Sequence, residues 1–291
     1  MLKTAKRALV PALALCLLLS GCLLRSADAA GFVGGVYRVN TGSAGLLVLE
    51  PLGGLDTTEE ILAALNSAPE QSGMERAFPD GVEALSVEVT GGVRAAVEMS
   101  ESYAECSESD RLVAALACAM TLCLMDNIAA VDIYCGGELC CEGLNLSSAL
   151  LDDVTCGGAD VPIKLWLPNE SGGVTPRTEY IALDAETAAA EAVVQRLLTA
   201  LINADGGGYA LPEDTALLGV ETADGLCTVN LSREMFATEP ESTEDAQAVI
   251  HSFVATLCSL AGVDAVTIQS DGRDIYSYGR YITHWPMTFT L

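Results

Sequence analysis

The chain is short of cations, of histidine and of aromatic rings. Against 40 Asp and Glu it carries 14 Lys and Arg, a net charge of −26, and it has only two His in 291 residues. Such a field repels nucleic acid, anionic headgroups and anionic wall polymers. It suits a basic protein partner or divalent cations, or it simply keeps an apolar-rich chain in solution. The patterns of common catalysis are missing too: there is no G-x-S-x-G, H-E-x-x-H, Walker A loop, dinucleotide fingerprint or EF-hand loop. No catalytic residue, no cofactor and no metal site is therefore expected.

Long hydrophobic runs are absent after the N-terminus, so nothing beyond it reaches the roughly 18 residues of a membrane span. The N-terminus itself is different. Lys3, Lys6 and Arg7 precede an apolar run over residues 8–19, which ends in Leu19-Ser20-Gly21-Cys22. That is the layout of a bacterial lipobox: residues 1–21 are expected to be removed as a signal peptide, leaving Cys22 lipidated and residues 22–31 as a tether. Acyl chains contribute about 0.8 kcal/mol per buried methylene, so a multiply acylated Cys22 would hold the chain on a membrane, outside the cytoplasm.

Cys106, Cys118, Cys123, Cys135, Cys140, Cys141, Cys156, Cys227 and Cys258 remain, an odd number that cannot all pair. Cys135, Cys140, Cys141 and Cys156 cluster in sequence, where they would bridge locally or bind a metal, although their spacing fits no zinc pattern. Cys123 and Cys258 are different, because they stand at one and the same place in an internal repeat. Residues 121–137, TLCLMDNIAAVDIYCGG, align without a gap on residues 256–272, TLCSLAGVDAVTIQSDG. Two helix-face cysteines at equivalent positions read as small buried hydrophobes.

The match extends upstream. Ser107-Glu108-Ser109-Asp110 pairs with Ser242-Thr243-Glu244-Asp245, both S-x-x-D helix starts. Residues 78–87 pair with 211–220, and residues 92–100 with 225–232 after a shift of one. Each copy is a little over a hundred residues, the size of a domain. The boundaries are 32–141 for the first, 142–160 for a linker, 161–275 for the second and 276–291 for a tail.

In the second copy, strands at 161–167 and 178–183 lead to a helix that Asp184 caps and that runs to about Leu201. A hairpin at 216–231 follows, turning at Asp224-Gly225, then a helix over about 244–260 and a strand at 265–268. The fold class is α+β: two tandem copies of a small ββαββαβ sheet with two helices packed on one face. Tyr37 and Trp166 match each other in the first strands and read as core aromatics.

Leu211-Pro212, Leu218-Gly219-Val220, Asp224-Gly225, Val229-Asn230-Leu231-Ser232, Thr256-Leu257 and Gly262-Val263-x-x-Val266-x-Ile268-x-x-x-Gly272 together resemble the GerM domain of sporulation and spore germination proteins. The first copy departs from that pattern, with Asp126-Asn127 in place of the turn glycine and Glu98 in place of Asn230. The resemblance implies a unit similar to the ring-building motifs of envelope-spanning complexes. It also implies a non-enzymatic, lipid-anchored protein on the outer face of the cytoplasmic membrane of a Gram-positive bacterium. Its partners would be envelope proteins or a sporulation assembly.

Two features stand apart from that layout. His251 has Leu116 as its counterpart, which reads as a boundary histidine rather than a general base. The tail gathers Tyr276, Tyr278, Tyr281, Trp285 and Phe289 in a chain otherwise poor in rings. Tyr276, Tyr278, Tyr281 and Trp285 are candidate ligand contacts, with peptidoglycan the alternative partner, unless the tail folds back onto the domain as an extra strand.

Overall fold

The computed structural model describes residues 34–41, 46–91, 93–146, 159–183, 189–205 and 209–289. Cys22, the signal segment, the tether, Cys156 and the Asp184 cap lie outside them. Two compact units divide the chain between Asp160 and Val161. Among the described residues no helix is long and apolar enough to cross a membrane.

In unit 1, β1 (Gly35–Asn40) pairs antiparallel with β2 (Leu46–Pro51) and, at Val39 and Asn40 only, with β3 (Met74–Glu75). Helix α1 (Thr58–Asn66) lies between β2 and β3 in sequence, opened by a capping box of Thr57 and Glu60. A second sheet has the order β4 (Ala84–Thr90), β5 (Arg94–Met99), β6 (Ala130–Cys135) and β7 (Glu138–Leu144). The β5–β6 pair is parallel, so its connection must cross over. The short α2 (Ser102–Glu105) and the long α3 (Glu108–Leu122) make that crossing.

Unit 2 repeats the order. Strands β8 (Ala159–Pro168) and β9 (Val174–Leu183) form one sheet and α4 (Ala189–Ile202) follows. Strands β10 (Leu217–Ala223), β11 (Leu226–Leu231), β12 (Ala265–Ser270) and β13 (Arg273–Asp274) form the other. The parallel β11–β12 pair is bridged by α5 (Thr243–Cys258). The ββαββαβ order thus holds in both units, with β3, α2 and β7 added in the first and β13 and a C-terminal hairpin in the second.

The one expected sheet is in fact two in unit 1, and two plus a small C-terminal hairpin in unit 2, and the main division has a reason visible in the helices. Residues 114–122 of α3 are buried all round, as is most of α5. A helix without a polar face has to be covered on every side. Accordingly α3 packs on β6 and also on β1, and α5 on β12, β9 and α4. Nine consecutive buried residues include a threonine, whose hydroxyl needs a partner. Thr121 Oγ1 accepts from the amide of Tyr37 at 3.0 Å, and Thr256 Oγ1 from the amide of Trp166 at 2.9 Å. The repeated Thr-Leu-Cys is the point where the second helix is fastened to the first strand, and Tyr37 and Trp166 are both buried there.

The other repeated residues also keep their hydrogen bonds. Ser107 and Ser242 accept from the amides of Asp110 and Asp245 at the helix starts. Ser100 and Ser232 each accept from an amide across the hairpin, Glu83 and Ala216, and return their own amide to the same residue's carbonyl. That clamp sits beside a bulge, between Ala84 and Ser86 in unit 1 and between Leu217 and Gly219 in unit 2. Asp224 and Gly225, at φ 49° and 80°, form the left-handed pair that a two-residue hairpin requires.

Both departures from the repeat pattern preserve function at the backbone. Asn230 Oδ1 accepts from the amide of Gly272, and Glu98 Oε1 accepts from Gly137 at the same place in unit 1. The turn at Asp126-Asn127 closes with Ile128 donating to Met125 O, as Val263 donates to Leu260 O.

Candidate functional site

Residues 276–289 belong to unit 2. Strands β14 (Ser277–Tyr278) and β15 (Tyr281–Ile282) form a hairpin that packs on α5, and Met287 bridges to Val266 of β12. This burial decides the fate of each candidate ring. Tyr278 is wholly buried, edge-on to Phe236 at 5.8 Å, so it presents nothing to a ligand. Tyr281 Oη lies 3.2 Å from His251 Nε2, the rings standing edge to face. Trp285 Nε1 donates to Ile275 O, and Phe289 packs edge-on against Trp166. Tyr276, 79% exposed, is the one of the four candidates with an open ring. The tail folds back, which is what rings in a water-facing peptide do when a core is within reach.

His251 is half buried, and burial holds its imidazole below the ordinary value. Its neighbour Ser252 donates to Ala248 O inside the helix. The pair therefore does not make a nucleophile and base: the hydroxyl is committed to the backbone and the imidazole to a tyrosine.

A polar cavity of about 450 Å³ opens next to these elements. One wall is the β8–β9 turn, with Asn169 and Glu170; the others are Tyr209, the segment Thr238, Glu239 and Glu241, and Asp245 of the first turn of α5. Asn169 Oδ1 organises the turn by accepting from the amides of Ser171 and Gly173. Gly172, at φ 79°, allows the turn to close on α5, since a Cβ there would stand 2.9 Å from that of Glu244. Tyr209 Oη donates to Thr238 O at 2.8 Å and fixes the segment opposite. Burial pushes the Tyr209 phenol up, against a lowering contact from Tyr278, and the charge of Asp245 adds to the rise.

Four carboxylates on one polar cavity favour a cationic group and disfavour phosphate or carboxylate ligands. Sequence reasoning missed this place. Glu239-Pro240-Glu241 was its one visible signal, and Tyr209 and Asn169 come from segments far apart in sequence.

Residues 164–276 match the family model Germane, described as sporulation and spore germination. Unit 2 is a GerM-type domain. The match runs from within β8 to just past β13, taking in both helices and the cavity walls, and it ties this unit by family to sporulation and spore germination. Unit 1 lies outside the matched residues, and its kinship to unit 2 rests on the internal repeat. Among solved structures the chain is similar to the tandem GerMN domains of the sporulation protein GerM from Bacillus subtilis. That similarity has 16% identity, covers 84% of this chain and 92% of the other, and has a TM-score of 0.34. It is also similar to the first GerMN domain of the same protein, at 22% identity over 44% of this chain and 94% of the other, with a TM-score of 0.33. No curated protein matches the chain.

Proposed function

We propose that this protein is lipid-anchored outside the cytoplasm and acts without catalysis in sporulation or spore germination, binding or scaffolding an envelope protein assembly. The observation that carries the reading is the family match over residues 164–276. The lipobox at Cys22 supports the anchor, and the acidic chain supports a protein partner with basic side chains rather than an anionic polymer. The cavity beside α5 offers such a partner a place for one lysine or arginine head.

The test is crosslinking in living cells, with mass spectrometry of what remains attached to the full-length protein in vegetative and spore-forming cultures. Defined envelope proteins recovered only from the sporulating culture, and lost from the membrane fraction in a Cys22→Ala strain, are the expected result. Glycan fragments alone, or equal recovery from both cultures, would replace this reading with a general wall-binding lipoprotein. Turnover of muropeptides by the purified protein would overturn the non-catalytic part.

A further inference from the structure

Unit 1 gathers thiols at one corner of its second sheet. Cys135 ends β6, the turn is Gly136-Gly137, and Cys140 and Cys141 lie in β7. Cys135 stands opposite Glu138, Tyr134 opposite Leu139, and Ile133 opposite Cys141. Cys140 is thus the extra residue of a bulge, outside the ladder. Its Sγ reaches back to Glu138 O at 3.6 Å, toward the residue directly across from Cys135. The Cys135 thiol donates to Ser100 O at 3.4 Å, just past the end of β5. Partial desolvation of its sulfur first, then the thiols of Cys135 and Cys141, push the Cys140 thiol up, and Cys141 and Cys140 act in turn on the buried Tyr103 phenol.

We propose that Cys135 and Cys140 are a redox pair whose disulfide clamps the β6–β7 hairpin. Residues diagonal across a hairpin have Cα atoms about 7–8 Å apart, and a disulfide spans up to about 6.8 Å. The small difference is closed by a bulge residue that gives up no ladder bond in moving. Cys140 is exposed and Cys135 is 9% exposed, which sets the order of events. The Cys140 thiol loses its proton to solvent and attacks one sulfur of a small disulfide such as glutathione disulfide. The S–S bond breaks and glutathione leaves as a thiolate. The Cys135 thiolate then attacks Cys140 Sγ and expels the second glutathione. Two protein thiols are oxidised, one disulfide is reduced, and two protons pass through solvent to the departing thiolates. In unit 2 the place of Cys135 is taken by Ser270, so the clamp belongs to unit 1 alone.

Cleavage after acidic residues separates the two thiols, because Glu138 lies between them. The purified full chain is treated with glutathione disulfide, alkylated, and cut into peptides 133–138 and 139–142. A disulfide joining these two peptides is expected, retained in Cys141→Ser and absent in Cys140→Ser. Cys135→Ser should leave glutathione on Cys140. A bridge confined to 139–142, a link that survives Cys140→Ser, or both thiols alkylated after excess oxidant would overturn the pair. Continued protection of the buried Cys118 from alkylation reports that each variant is folded.

Discussion

Arg38 of unit 1 and Leu167 of unit 2 occupy equivalent places in the first strand, yet their surroundings differ in kind. The Arg38 guanidinium is 1% exposed; it pairs with Glu50 at 2.8 Å and donates to the carbonyls of Ala64, Leu65 and Ser67 at the end of α1. Glu50 also accepts from the amides of Glu70 and Gln71. Leu167 merely joins the core. The same contrast recurs between the second sheets, where Arg94 and Asp132 pair across β5 and β6 of unit 1 while Leu226 and Thr267 stand at their places in unit 2. What the units share is the set of bonds to the backbone: Thr121 and Thr256, Ser100 and Ser232, Ser107 and Ser242, Glu98 and Asn230. A repeat can exchange its lateral chemistry freely, but an orphaned buried amide costs the same in either copy.

The comparison breaks most sharply at the buried ion pair. Arg38→Met leaves the Glu50 carboxylate buried without its cation and should cost unit 1 about 3–5 kcal/mol. Hydrogen exchange read peptide by peptide should show unit 1 opening while unit 2 keeps its protection. Restoration by Arg38→Met with Glu50→Leu would identify the cost as the unpaired charge. Next in size are the threonine fasteners. Thr121→Val and Thr256→Val each remove the acceptor of a buried amide at nearly constant volume, and each should cost about 1–3 kcal/mol in its own unit. Unequal losses would show that the equivalence is geometric only.

Acid should separate the units by pH window. In Glu50, burial raises the carboxyl, but Arg38 and the Gln71 and Glu70 amides outweigh it and hold the group below its ordinary value. In Asp132, burial is likewise outweighed by Arg94 and the Gly143 amide. A lowered carboxylate gives stability that is complete above its unfolded value and is lost as pH falls through the folded one. Unit 1 should therefore weaken below about pH 4.5. His251 is lowered by burial, so the unfolded chain takes up a proton first as pH drops below about 6.5, and unit 2 should weaken there, before unit 1. Hydrogen exchange at pH 7, 5 and 3.5 tests the order; His251→Leu, which copies Leu116, should remove the early loss. The smallest effect belongs to Glu98→Asn, which keeps an acceptor oxygen for Gly137 and should shift unit 1 by less than about 0.5 kcal/mol.

Much of each unit was legible in advance. The S-x-x-D starts, the Asp224-Gly225 turn and the strand at β11 obey local rules, and α5 falls within two residues of its expected ends. The division into two sheets was not legible, because strand pairing is settled by which faces a buried helix must cover. The candidate rings illustrate the same limit. Tyr276, Tyr278, Tyr281 and Trp285 look alike in sequence as aromatics in a polar tail, and one of the four keeps an open ring because a hairpin two residues wide found α5 to pack on.

By itself the sequence determined the tandem units, their α+β order and the backbone bonds each repeated side chain supplies, because caps, turns and fasteners depend on short spacings along the chain. Tertiary structure alone decided which carboxylates meet Tyr209 around the cavity, which rings are buried, and which thiols of β6 and β7 become neighbours. Those outcomes depend on strand register and on packing between separate segments, and no local spacing encodes them.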